Sequence, residues 1–594
     1  MSETPKTETT KKPMSEEAKA KIAEGVRRAA LAKKGIIAEA AESIEPRLKV
    51  DPSKVRENDG IVTLNDYFKL EKGTFEVIKH NIEYGVNTML IGATGTGKTE
   101  VISNIAQVFG LPLVIFDMGT MTDPVMGLVG THVITVEDGV TKSEFKRSRF
   151  SEIIQQPGII LLDEISRAGA MATQAVTEEL TSARVLRASA MARKFMPGKL
   201  SDAFHKAAND FHESMVDYGE SIRGDFLAQG RLEEIPQSLE SPIRKVRESA
   251  QAITQFLSAD DEIIDTDVLA ERARVKGAVS EISTTAATLL KLGDGFVLWY
   301  EPTFSTLHLA PLSVSDVLRE NLLTQTPVIA TSATLTVGNS FNALAKSIGF
   351  LVGEELNSES KAGEVDPANV QMLDVGSPFD FANQGVLYMP KHLPEPGRDG
   401  PSIEVLTELG ELIDAAGGRT LALFSSWRGV EAADAHLRKV LAELPIRIFT
   451  QKRGDAVGPL VEKFAKDETS ILLGTMSLWQ GVDVPGNSCI LVAIDRIPFP
   501  RPDEPVMSAR AAQADAAGGS GFMQVSLPRA ALLLAQGTGR LIRSVDDRGV
   551  VAILDSRIVT KRYGSVLLNS MPPLWRTSDK DVVRDSLKRL NESL

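Results

Sequence analysis

Asn87-Thr88-Met89-Leu90-Ile91-Gly92-Ala93-Thr94-Gly95-Thr96-Gly97-Lys98-Thr99 runs an apolar strand into a glycine-rich turn and on into a helical pattern. Residues 92–99 satisfy the P-loop pattern G-x-x-x-x-G-K-[ST], in the strand-to-helix setting that pattern requires. Gly92, Gly95 and Gly97 let backbone N–H groups wrap phosphates, and the N-terminus of the following helix favours their charge. Lys98 then reaches the terminal phosphates, and the Thr99 hydroxyl is a ligand for Mg²⁺. ATP and Mg²⁺ are the expected cofactors.

Short apolar runs at 113–116 and 159–162 predict further buried parallel strands of the same α/β sheet. Asp163 and Glu164 follow the second run. An acid at that place holds Mg²⁺ through water, so Thr99 and Asp163 are the expected metal residues, while Glu164 orients the attacking water. Paired acids after a strand are also common helix-start residues, and the P-loop on the same sheet is what favours catalysis.

The rest of the chain divides by texture. Residues 1–60 read as a tail, the first thirteen with almost nothing to bury and therefore disordered, and 15–43 as a solvated helix or helical pair. Residues 61–170 form the P-loop core. From 171 to 291 glycine is sparse, Ala, Glu, Arg and Leu dominate, and no strand signal appears, which predicts a helical insertion. Strand signals return at 295–300 and 327–331, so 292–356 completes the first α/β domain. After a polar stretch at 357–369, residues 370–594 carry strand signals at 420–424, 471–474, 489–494 and 550–554. The expected fold class is α/β, with two P-loop-type domains built on parallel sheets.

Bulk properties narrow the function classes. A chain of 594 residues has room for about three domains, and 43% hydrophobic with 24% charged residues is an ordinary globular composition. One cysteine, Cys489, excludes a disulfide framework and an iron–sulfur cluster held by four thiolates of this chain. No apolar run is long enough for a membrane span, and a cytoplasmic setting is expected. The net charge of −13 opposes whole-surface nucleic-acid binding but permits a local basic groove.

A second chemistry-bearing stretch lies near the other end, Gln536-Gly537-Thr538-Gly539-Arg540-Leu541-Ile542-Arg543. Spacings of four and three place Gln536, Arg540 and Arg543 on one face of a helix. Such a face binds an anion or forms surface ion pairs, and it supplies arginine fingers only beside a P-loop. Thr331-Ser332-Ala333-Thr334 places hydroxyls at a strand end, where they sense phosphate or make an ordinary turn. Trp427 and Trp479 are stacking or core residues. The basic runs Lys142, Lys146, Arg147, Arg149 and Arg184, Arg187, Arg193, Lys194 are phosphate contacts or solvated faces.

From about Thr177 onward, the ordered motifs resemble the DinG-like branch of superfamily 2 helicases, relatives of XPD. The resemblance is carried by residues 307–312, by 330–335, by Trp479-Gln480-Gly481-Val482-Asp483-Val484-Pro485-Gly486, by Ile497-Pro498-Phe499-Pro500 and by 536–543. It implies two RecA-like domains and ATP-driven translocation on single-stranded DNA, usually 5′ to 3′. It also implies that Asp483 and Gln536 lie at an interdomain nucleotide site with Arg540 and Arg543 facing the γ-phosphate. Residues 83–168 instead resemble a MoxR-type AAA+ ATPase, through 92–99, 123–130 and 158–168. The Asp-Glu-Ala-His expected of the helicase branch is here Asp163-Glu164-Ile165-Ser166. The chain thus reads as a splice of two P-loop families near Met171, a natural mosaic or a constructed chimera. The function implied is a helicase or translocase on single-stranded or forked DNA, with 171–291 arching over the strand. The alternative is a MoxR-like ring oligomer remodelling a protein partner.

Overall fold

The computed structural model describes residues 56–594 except 59–60, 65–68, 85, 92–96, 118–129, 138–139, 148–158, 164–172, 174–176, 224–230, 259–265, 294, 324–327, 333–341, 352–369, 375–376, 378, 398–399, 476–477, 479–485 and 502. Of the expected tail, residues 1–55 and 59–60 lie outside the described residues, as does the polar stretch 357–369, while Arg56–Asn58 is neither disordered nor helical but a strand paired with Ile61–Thr63.

The first parallel sheet has the order Val370–Asp374, Asn87–Ile91, Val328–Ser332, Ile159–Asp163, Leu113–Asp117. All four neighbouring pairs are parallel. Its middle strand, Val328–Ser332, comes from the helicase-like part of the chain, yet it separates the P-loop strand from the strand ending in Asp163. The expected junction near Met171 is therefore no boundary in the fold, because both parts contribute strands to one sheet.

The side chains explain why that sheet closes. Successive residues of a strand point to opposite faces. Met89, Ile160, Leu162, Val328 and Ala330 fall in one buried cluster with Ile348 and Phe350. Leu90, Ile159, Leu161 and Ile329 fall in the other, with Ile102 and Ile105 of the helix Lys98–Phe109 and with Phe75 and Ile78 of Lys72–Tyr84. Both faces are covered, which is why these strands read as unbroken apolar runs rather than alternating ones. Each of the larger side chains among them contributes about 1.5–3 kcal/mol when removed from water.

The expected helical insertion carries its own sheet. Four helices, Ser182–Ala192, Gly198–Ser221, Gln237–Leu257 and Thr266–Leu289, pack on an antiparallel sheet ordered Arg231–Leu232, Phe296–Glu301, Thr306–Pro311, Glu178–Thr181. Two of those strands lie inside the block expected to be helical. Both are only two to four residues long, too short for a periodicity signal. The run at 295–300 joins this body and not the first parallel sheet, so the first α/β domain does not resume there as expected.

Leu298, Tyr300, Leu307 and Leu309 face the four helices. Val297, Ala310 and Leu312 face the other way, onto Ala509 of the helix Pro505–Ala516. Arg510 of that helix donates Nε to the Leu312 carbonyl at 2.7 Å and Nη2 to Thr173 Oγ1 at 3.3 Å. Of the basic run 184–194, expected as phosphate contacts or a solvated face, Arg184 pairs with Glu281 and Lys194 with Glu271 at the surface of this body.

The second sheet has seven parallel strands in the order Arg447–Thr450, Ser470–Gly474, Thr420–Leu423, Leu491–Ile494, Gly549–Ile553, Gly385–Tyr388, Trp575–Thr577. Two large apolar clusters cover its faces. Cys489 is buried in one of them, and burial pushes its thiol up to about 12, so it acts as a packing residue. No helix among the described residues is long and apolar enough to cross a membrane.

Candidate nucleotide site

The C-terminal ends of the first sheet's strands gather the site, the edge at which open parallel sheets present ligands. Gly97 stands at the N-cap of Lys98–Phe109 with φ 73°, a left-handed conformation that glycine adopts without strain. Lys98 opens the helix and is only 8% exposed. Thr99, next in the chain, donates its hydroxyl to Asp163 Oδ2 at 2.6 Å. Thr331 donates its hydroxyl to the other carboxylate oxygen, Oδ1. The fold thus assembles Thr99 from the first turn of the P-loop helix with Asp163 and Thr331 from the ends of two adjacent strands. Gly92, Gly95 and Glu164 lie outside the described residues.

Thr331 is fully buried, and its hydroxyl comes from the middle strand supplied by the helicase-like part. Val328 and Ala330 pair with Ile160 and Leu162, which brings the neighbouring Thr331 level with Asp163. Strand-end position marks Thr331 only as one hydroxyl of the run 331–334. Its partner depends on strand order, which no local pattern encodes.

The arginine stretch differs from the expectation of one helical face. The helix Leu527–Thr538 stops before Arg540, so only Gln536 is helical, at 6% exposure. Gly537 and Gly539 weaken the helix, and Leu541 and Ile542, each 3% exposed, turn into the core beside the second sheet. Arg540 then lies in the turn closed by its N–H to the Gly537 carbonyl, and Arg543 lies in the loop beyond.

That loop is clasped by residues absent from the sequence reading. Asp547 Oδ2 accepts from the backbone N–H groups of Arg543 and Ser544, each at 2.7 Å, and its Oδ1 accepts from Gly486 at 3.3 Å. Gln384, 5% exposed, donates Nε2 to the carbonyls of Ser544, Val545 and Asp547 at 3.0, 3.1 and 3.2 Å. Gly486 ends the segment holding Trp479 and Asp483, both outside the described residues. An acid four residues past Arg543, in a turn rich in Ser, Asp and Gly, is the local signal that was available for Asp547.

At the opposite edge of the second sheet, the C-terminal ends of its parallel strands, Asp495 follows Leu491–Ile494 and accepts from Ser425 N at 2.9 Å. Burial pushes its carboxyl up to about 6, against the opposing pull of Arg496 and the Ser425 bonds. Asp555 follows Gly549–Ile553, is fully buried, and pairs with Arg557 while accepting from Ile497 N.

Comparison with known proteins agrees with this two-part construction. The helicase C-terminal domain family matches residues 409–574, and an AAA domain family of the dynein-related subfamily matches residues 87–198, reaching past the expected junction into the helical body. The chain is 48% identical over 328 residues to the ATP-dependent helicase DinG of Mycobacterium tuberculosis, covering 53% of this chain and 47% of that protein. It is 30% identical to the ATP-dependent DNA helicase YoaA of Haemophilus influenzae over 458 residues, 74% of this chain and 66% of that one. The same identity holds for YoaA of Escherichia coli over 449 residues, covering 73% and 65%. An apo XPD structure superposes with a TM-score of 0.50 at 16% identity, covering 85% of this chain and all of the other, a likeness of fold. The chain spans about half the length of the mycobacterial relatives it matches.

Proposed function

We propose that this relative of the DinG and YoaA helicases, with an AAA-type P-loop segment, is an ATP-driven motor on single-stranded DNA. The supporting observation is the composite sheet. A ring ATPase whose helicase-like part is an appendage has no need of Thr331 on Asp163, whereas one site built from both parts depends on it.

ATP is held by the loop 92–99 and Lys98. The residues present suit Mg²⁺, a hard cation that takes one or two carboxylates and keeps several waters. Thr99 Oγ1 and Asp163 Oδ2, 2.6 Å apart, would hold the ion, Thr99 by its hydroxyl and Asp163 through water. Bound there, the ion would offset the negative charge of the phosphates. Glu164 orients the attacking water, and Thr331 holds the Asp163 carboxylate in place. Gln536, Arg540 and Arg543 approach from the second domain, near Asp483, and stabilise the charge of the transferred phosphoryl group. Closing and opening of the two parallel-sheet domains moves a strand lying across both, with the helical body as an arch over it.

The test is ATPase rate with and without single-stranded DNA in wild type, Lys98→Ala and Arg543→Ala. DNA is expected to stimulate the wild type, and loss of the arginine to lower the rate by about 10³-fold or more. DNA-independent ATPase that survives Arg543→Ala overturns the two-domain site. Together with assembly into a nucleotide-dependent ring on gel filtration, it establishes the AAA+ remodelling alternative instead.

A further inference from the structure

A cavity of about 590 Å³ opens on the second domain beside Trp427, away from the P-loop. Its size falls within the roughly 300–1,000 Å³ typical of small-ligand sites. It lies at the C-terminal ends of Thr420–Leu423 and Arg447–Thr450, between the helix Trp427–Val440 and the turn 451–455.

We propose that this cavity seats one nucleotide of single-stranded DNA, its base between Trp427 and Arg453 and its phosphates against Lys452 and Lys463. The proposal rests on the DNA-motor reading and names the contact residues on this domain. The Arg453 guanidinium carbon sits 5.9 Å from the Trp427 ring centroid. A base between two flat groups needs about 7 Å, two contact distances of roughly 3.5 Å. Arg453 is exposed and supplies the extra ångström.

The turn that presents Arg453 is fixed by the protein itself. Lys452 N donates to Asp455 Oδ2 at 2.8 Å, Asp455 N donates back to the Lys452 carbonyl at 3.1 Å, and Gly454 takes a left-handed φ of 85°. Charge also favours a polyanion. Asp434 is engaged by Arg438 at 2.8 Å and by Thr450, and these partners outweigh burial and hold its carboxyl below the usual range. With that pair cancelled, Lys452, Arg453 and Lys463 face the single acid Glu431. Cations around Trp427, half-buried and lining the cavity, suit an unpaired base on its backbone, and a duplex offers no such base face here.

The cavity is also joined to the motif segment. Gln451 lines it, is 5% exposed, and accepts with Oε1 from Thr475 N at 3.0 Å and Thr475 Oγ1 at 3.3 Å. Thr475 opens the stretch that runs to Asp483.

The test is titration of the full chain with an oligodeoxythymidine, read by tryptophan fluorescence and by anisotropy of a labelled strand. Wild type is expected to bind with quenching. Trp427→Phe is expected to bind within about threefold but to lose most of the quench, which a purely structural role for Trp427 does not predict. Trp427→Ala and Arg453→Ala are expected to weaken binding about 5- to 100-fold, the range of base–aromatic stacking. Arg453 is exposed, so its variant folds even if Trp427→Ala does not. A full quench in Trp427→Phe, wild-type affinity in Arg453→Ala, or equally tight binding of thymidine monophosphate at the same site each overturns the proposal alone. Wild-type protein that hydrolyses ATP and binds no oligonucleotide overturns the DNA-motor reading, and the cavity's role with it.

Discussion

Replacing Ile329 by alanine tests whether the helicase-like part holds the P-loop in place. Ile329 is 3% exposed and lies in the same buried cluster as Leu90 of the P-loop strand and Ile102 and Ile105 of the P-loop helix. The substitution removes three carbon groups, about 2.4 kcal/mol at ~0.8 each, and the cavity left behind brings the cost to roughly 2–5 kcal/mol. Domain stabilities are about 5–15 kcal/mol, and 2 kcal/mol alone raises the open fraction roughly 30-fold. Hydrogen exchange by mass spectrometry reads that change peptide by peptide. Protection is expected to fall in the helix Lys98–Phe109, more than 200 residues away in sequence, and ATP affinity is expected to fall with it. Faster exchange confined to 328–332, with 98–109 unchanged, refutes the composite sheet. A fragment ending before residue 178 that folds and binds ATP like the full chain refutes it equally.

Two further outcomes follow from other parts of the site. Asp547→Ala leaves three backbone N–H groups without their carboxylate acceptor, and hydrogen bonds to charged groups contribute about 1.5–3 kcal/mol each before water replaces part of it. The expected result is an ATPase loss of about tenfold or more that disappears when Arg543→Ala is already present; additive losses show that Asp547 acts elsewhere. For Asp495, a folded value near 6 against 3.8 unfolded means that the folded state keeps a proton the unfolded state has released. Stability is then full below about pH 4 and declines by on the order of 3 kcal/mol as pH rises to about 6. Asp495→Asn removes that decline, so denaturant midpoints of variant and wild type are expected to diverge between pH 4 and 7; parallel curves across that window sink the assignment.

Local patterns carried much of this molecule. The expected strands at 113–116, 159–162, 327–331, 420–424 and 550–554 each fall within a residue or two of the observed ones, because buried parallel strands are short apolar runs bounded by turns. The strand Glu178–Thr181 escaped notice because four residues in a helix-rich block carry no period. Gly385–Tyr388 and Trp575–Thr577 escaped for the same reason. The arginine stretch shows the opposite failure. Spacings of four and three fit a helix, but two glycines and the burial of Leu541 and Ile542 end it first.

The sequence by itself determined the chemistry of the phosphate loop, because Gly97, Lys98 and Thr99 are neighbours whose roles need only a strand before them and a helix after. It also determined that two kinds of motif share one chain. Only the tertiary structure decided that Val328–Ser332 lies between the P-loop strand and the strand ending in Asp163. Strand order is set by which apolar faces cover one another across hundreds of residues, and no stretch of sequence records that choice. Thr331 beside Asp163, like Gln384 on the loop after Arg543, exists because the chain returned to put it there.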